Sequence, residues 1–150
     1  MECLGGNGYV EESPMPQLLR DAPLNGIWEG SGNVMSLDVL RAMSREPEGL
    51  PAFLAECGLA RGGDARLDAH LDSLPATLAE LSGADAQWLA RRAVEDLAVA
   101  FQASLLVRNA PAAVADAFCA GRLGDARGRV FGTLPAGVDA ATILERALPA

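Results

Sequence analysis

The stretch AQWLARRAVEDLAVAFQASLLVRN, residues 86–109, decides the class of the fold. Leu89, Ala93, Leu97, Ala100, Phe101, Ser104 and Leu105 recur every three or four positions, the period of one helix face. Asp85 stands where an N-cap belongs. At about 1.5 Å per residue such a helix runs roughly 36 Å. Arg91, Arg92, Glu95 and Asp96 in its first half make a bilayer span costly, and their spacing reads as a solvated face of helical ion pairs. Trp88, at its start, reads as core or interface filler.

The same period continues outward in both directions. Downstream, Pro111 opens a helix to Ala120 that Gly121 should end, and Asp139 caps a last short helix to Leu148. Upstream, Asp64 caps a helix whose leucines at 67, 71, 74, 78 and 81 form a narrow packing seam. Pro75 lies inside it and should kink or split the helix near Leu74, because its ring removes an amide; Ser82-Gly83 then closes it. Pro51 to Gly58 reads as about two helical turns. Asn33 to Arg45 reads as another helix, with Val34, Leu37, Leu40 or Val39, and Met43 on its apolar face, Ser31 to Asn33 as cap region, and Pro47 beyond its end. No strand-like alternation exceeds two or three residues, and no fixed repeat is evident. These features predict an all-α fold, an antiparallel helical bundle.

The chain has 150 residues, half of them hydrophobic, which fits one domain with a real core. Its formal charge is −8 and it contains no lysine, a balance that disfavours nucleic acid, since phosphate contacts need clustered cations. From Glu46 onward 9 arginines face 14 acidic residues. The one local cationic excess is Arg122, Arg127 and Arg129 around Asp125, a patch able to hold a phosphate or two. Cys3, Cys57 and Cys119 are spaced for neither zinc nor a disulfide framework, which reads as a reducing cytoplasm with Cys57 and Cys119 as buried small hydrophobes. His70, between Asp68 and Asp72, reads as a solvent-facing helix residue, and no metal site is expected. No secretory leader or membrane span is visible. A chain that opens inside a functional motif reads as a fragment of a longer protein.

That motif fills the first 33 residues. Leu4-Gly5-Gly6-Asn7-Gly8-Tyr9 is glycine-dense, so backbone amides can approach a ligand closely. Pro14, Pro16 and Pro23 prevent one long helix, leaving short turns around Met15 to Arg20. Arg20-Asp21 reads as an ion-paired surface turn. Ile27-Trp28-Glu29-Gly30-Ser31-Gly32-Asn33 ends at a helix start whose free amides should face the same side as the glycine loop, an anion site in outline with Glu29 beside it as a candidate base.

The ordered phrases Cys3 to Tyr9, Arg20-Asp21-Ala22 and Ile27 to Ser31 resemble the C-terminal end of acyl-CoA dehydrogenases, with their glycine loop, Arg-Asp-Ala and Tyr-Glu-Gly-Thr. Trp28 and Ser31 depart from the tyrosine and threonine common in the family; serine keeps the hydroxyl, and Trp28 reshapes the wall beside the base. Ile27 to Arg41, together with Asn109-Ala110-Pro111 and Ala117-Phe118-Cys119 in the tail, resembles the DNA-alkylation-response (AidB-like) branch, with isovaleryl-CoA dehydrogenases nearby. The resemblance implies the C-terminal domain of the acyl-CoA dehydrogenase fold with an extra helical tail, residues 1–45 ending that domain and 46–150 forming the extension. It implies FAD as cofactor, with Gly5, Gly6, Gly8, Gly30 and Ser31 as its contacts in this segment and Glu29 as the base that abstracts the substrate's α-proton. It also implies an acyl-CoA substrate, a homo-oligomer and no membrane partner, and it makes the separate chain inactive. In the competing reading the tail is a nucleic-acid or protein-interaction module, tested at Arg122, Arg127 and Arg129, and the dehydrogenase motif is scaffold.

Overall fold

The computed structural model describes residues 1–125, 128 and 130–148. Its helices are α1 Met15–Asp21, α2 Gly32–Arg45, α3 Gly49–Gly58, α4 Ala65–Ala79, α5 Ala86–Asn109, α6 Ala112–Arg122 and α7 Ala140–Ala147, with 3₁₀ turns at Glu2–Gly8, Ala22–Gly26 and Glu80–Ser82. Among the described residues there is no strand. The all-α class expected from the periodicity is what forms.

The long helix α5 is the axis of the bundle, packing against α2, α3, α4 and α6, while α7 leans on α6. The leucine seam faces it: Leu67, Leu71 and Leu74 are buried with Leu97, Ala100 and Ala103 of α5, Cys57 of α3 and Cys119 of α6. Leu78 packs on the edge of this core, as do the rings of Phe53 and Phe101, 5.5 Å apart. The small residues along α5 let its neighbours approach closely. Ser104 Oγ is buried there without a hydrogen-bond partner among the described residues, a cost of about 1–3 kcal/mol for a hydroxyl taken out of water.

Polar contacts fix the order of the helices. Asp64 caps α4 by accepting from the amides of Arg66 at 2.8 Å and Leu67 at 3.4 Å. The Arg66 guanidinium spans from Asp64 to Asp116 of α6, at 2.5 and 2.7 Å, and holds the Asp64 carboxyl below the usual carboxylate range. Arg108 of α5 meets Glu56 of α3 at 2.6 Å. Asp139 caps α7 through the Thr142 amide at 3.1 Å.

Several expectations change. Pro75 does not split α4, which is continuous from Ala65 to Ala79; the ring lies on the exposed face, where solvent-side carbonyls already tilt outward, and the buried seam holds both halves against α5. Gly121 does not end α6, which continues to Arg122. A Cβ at Gly121 would stand 2.9 Å from Leu134 Cδ2, so the glycine serves close packing. His70 is half-buried and donates from Nε2 to the Asp96 carbonyl at 2.9 Å, joining α4 to α5. Trp88 is 87% exposed and is not core. On α5 Ala90 is buried, and Leu105, assigned to the apolar face, is 38% exposed. Asp85 occupies the N-cap of α5 without making a side-chain capping bond.

Candidate functional site

Glu29 sits in a turn built by backbone bonds. The amides of Ile27 and Trp28 both donate to the Leu24 carbonyl, at 3.0 and 3.1 Å, and the Gly30 amide donates to the Ile27 carbonyl at 3.1 Å. Gly30 has φ +124°, a conformation that disfavours any side chain, and it delivers the chain into α2 with Ser31 extended at the N-cap. The Met35 amide closes the first helical turn on the Ser31 carbonyl at 3.0 Å. The Ser31 side chain makes no capping bond. Ser36, one turn on, is buried and donates to the Gly32 carbonyl at 2.8 Å.

This turn is open to solvent. Glu29 is exposed and Trp28 is 65% exposed. The exposed side chains Ile27, Val34, Met35 and Leu37 continue the apolar surface around it. Beside the start of α2 lies a shallow cleft of about 430 Å³ between α2 and α5, lined by Asn33, Ser36, Leu37, Trp88 and Arg91 among others.

The glycine loop folds as 3₁₀ turns joined at Gly5, whose φ of +55° and ψ of −138° break the helical path. Gly5 and Gly6 have no atom within 4 Å of where a Cβ would stand, whereas Gly8 is buried against Leu4 and Met1. The end of this loop opens on a different cleft, about 560 Å³, between Tyr9 to Glu12 and α1. Tyr9, at the end of the loop, lines this second cleft, and Asn33, at the start of α2, lines the first. The pairing of Arg20 is corrected. Its guanidinium grips Glu11, not Asp21, through two bonds of 3.0 and 3.3 Å, and this holds the Glu11 carboxyl below its ordinary range.

Arg127 and Arg129 lie outside the described residues. Arg122 is exposed at the end of α6. Five other arginines, at 20, 41, 61, 66 and 108, are tied to carboxylates, which lowers the cationic surface further. Among the described residues no group of three or more histidine, cysteine or acidic side chains is placed to hold a metal, and no helix is long and apolar enough to cross a membrane. Burial pushes the Cys119 thiol up to about 11 and raises that of Cys57 as well.

Sequence reasoning missed Arg91. Assigned to ion pairs along α5, it pairs with no carboxylate among the described residues and instead donates from Nη1 to Asn33 Oδ1 of α2 at 3.2 Å. Those residues are 58 apart in the chain, and no local pattern announces the contact.

The segment that builds the Glu29 turn has known counterparts. Residues 1–44 match the family described as the C-terminal domain of acyl-CoA dehydrogenases. The match covers less than a third of the chain. Relatives extend the likeness: AidB of Escherichia coli (strain K12) is 37% identical over 130 residues, 87% of this chain and 23% of the relative. Acyl-CoA dehydrogenase family member 11 of Caenorhabditis elegans is 55% identical over 53 residues, 35% of this chain and 9% of the relative. Mitochondrial isovaleryl-CoA dehydrogenase of Bos taurus is 44% identical over 46 residues, 31% of this chain and 11% of the relative. The chain thus spans less than a quarter of the length of these relatives. Its all-helical architecture, among the described residues, agrees with the C-terminal helical domain of the acyl-CoA dehydrogenase fold.

Proposed function

We propose that this chain carries the base and part of the cofactor-contacting surface of a flavin-dependent acyl-CoA dehydrogenase, and that Glu29 removes the proton α to the thioester carbonyl. The observation that carries the reading is the Ile27–Asn33 turn: backbone bonds and the positive φ of Gly30 fix the chain on both sides of one carboxylate, directly before a helix start.

The residues present fit FAD in kind. Gly5 and Gly6 present backbone with open space where side chains would stand. Ser31 has a hydroxyl not spent on capping, next to first-turn amides of α2 that favour a negatively charged group. Gly5, Gly6, Gly8, Gly30 and Ser31 would hold it. When bound, the flavin supplies the hydride acceptor. The end of the glycine loop and the start of α2 line two different clefts, in keeping with a site assembled from more than one chain region or subunit.

Glu29 needs surroundings that exclude water if its carboxylate is to work near neutral pH. Here it is exposed, so turnover requires walls from outside this segment, and the separate chain binds flavin weakly and turns over no acyl-CoA. The test is a titration of FAD into the ¹⁵N-labelled chain. The expected result is shifts confined to Gly5, Gly6, Gly8 and Gly30 to Asn33; shifts located on α6 and α7 alone would overturn the assignment.

A further inference from the structure

The contact between α2 and α5 is the most extensive helix packing among the described residues, and the Arg91 side chain crosses it toward the turn of Glu29. Arg91 Nη1 donates to Asn33 Oδ1 at 3.2 Å. Its guanidinium also lies against Gly32: a Cβ there would stand 3.0 Å from Nη2 and 3.2 Å from Cζ. Gly32 and Asn33 open α2, separated from Glu29 by Gly30 and Ser31 alone. Helix stability does not explain this placement, since a cation at a helix start opposes the macrodipole. Nor does ion pairing, since no described carboxylate meets Arg91. What the contact does is tie the end of the Glu29 turn to the helical extension.

We propose that Arg91 is a positioning residue, through which the extension holds the turn that carries Glu29. Its functional meaning rests on Glu29 being the base; the contact and its test do not. Fixing Gly32 and Asn33 from α5 narrows the positions open to Gly30 and Ser31, and with them the direction from which the carboxylate approaches a substrate. A catalytic group displaced by as little as an ångström loses much of its rate, so a residue outside the family-matched segment would govern the reaction carried out within it.

The experiment uses the full 150-residue chain and follows amide exchange at Gly30 and Met35, whose bonds to Ile27 and Ser31 report order in the turn. Arg91→Ala and Asn33→Ala should each speed exchange there about fivefold, the worth of one hydrogen bond of this kind, and the double variant should add little to either. Arg91→Lys should recover part of the protection. Thermal midpoints separate positioning from general stability: Asn33→Ala, which installs the better helix former, should hold or raise the midpoint while still loosening the turn. Exchange within twofold of the parent in Arg91→Ala, or exchange that simply follows the thermal midpoint, would overturn the proposal. If the turn loosens as expected but Glu29→Gln leaves dehydrogenation intact in a flavin-loaded chimera, the positioning contact stands and the reading of Glu29 falls.

Discussion

Residues 1–45 and helices α3 to α6 are built on opposite terms. In the first region only Gly8, Pro16 and Ser36 are buried, and Leu18, Leu19, Leu24, Ile27, Trp28 and Val34 are each more than half exposed. In the second, Leu67, Cys57, Ala100 and Cys119 are all at 0% exposure. The family match falls on 1–44, the region with almost no core of its own. The first region's main anchor is the packing of α2 on α5. The bundle behind it is held by its own packing.

Core truncation should separate the two regions most sharply. Leu67→Ala or Leu74→Ala should cost about 2–5 kcal/mol in denaturant unfolding, whereas Val34→Ala or Leu24→Ala should stay within about 0.5 kcal/mol. A large loss at Val34 would mean that the first region has a core after all. Ser104→Ala should be neutral or stabilising by about 1 kcal/mol, since it removes a buried hydroxyl that has no partner among the described residues.

Acid should act on the bundle through Asp64, whose carboxyl is depressed by its hydrogen bonds from Arg66. A carboxylate with a lowered folded-state pKa contributes stability that is fully present above the usual carboxylate value, near 4, and is lost as pH falls through the folded value. The chain should therefore lose stability below about pH 4, and Asp64→Asn, which keeps an equally good N-cap, should flatten that part of the curve while costing up to about 1 kcal/mol at neutral pH through the lost charge partner of Arg66. Thiol labelling offers the mildest contrast. Exposed Cys3 should react quickly with a disulfide reagent at pH 8, and Cys57 and Cys119, buried and with raised thiol pKa values, only on unfolding.

Much of the bundle was legible because its signals are local. Three- and four-residue spacing placed α5 at its observed span, Asp64 and Asp139 announced helix starts, and the leucines at 67, 71 and 74 announced the core. What was illegible joins residues far apart: His70 to Asp96 across 26 positions, Arg91 to Asn33 across 58. Pro75 misled because the cost of a missing amide was weighed without the packing that offsets it. The candidate site was legible as ordered motifs, and the spacing of Glu29 before a helix start holds in the structure. Its shape was not legible, because glycine loops carry no periodic signal that says which face they join.

The central claim is that Glu29 is the base of a flavin dehydrogenase whose remaining walls come from outside this chain. The most direct measurement replaces the corresponding C-terminal region of AidB with this chain, loads the chimera with FAD and follows bleaching of the flavin by isovaleryl-CoA in stopped flow. Flavin reduction that falls about 10²–10⁴-fold in Glu29→Gln, with flavin still bound, is the result expected for a general base; reduction at the parent rate in that variant would contradict the account.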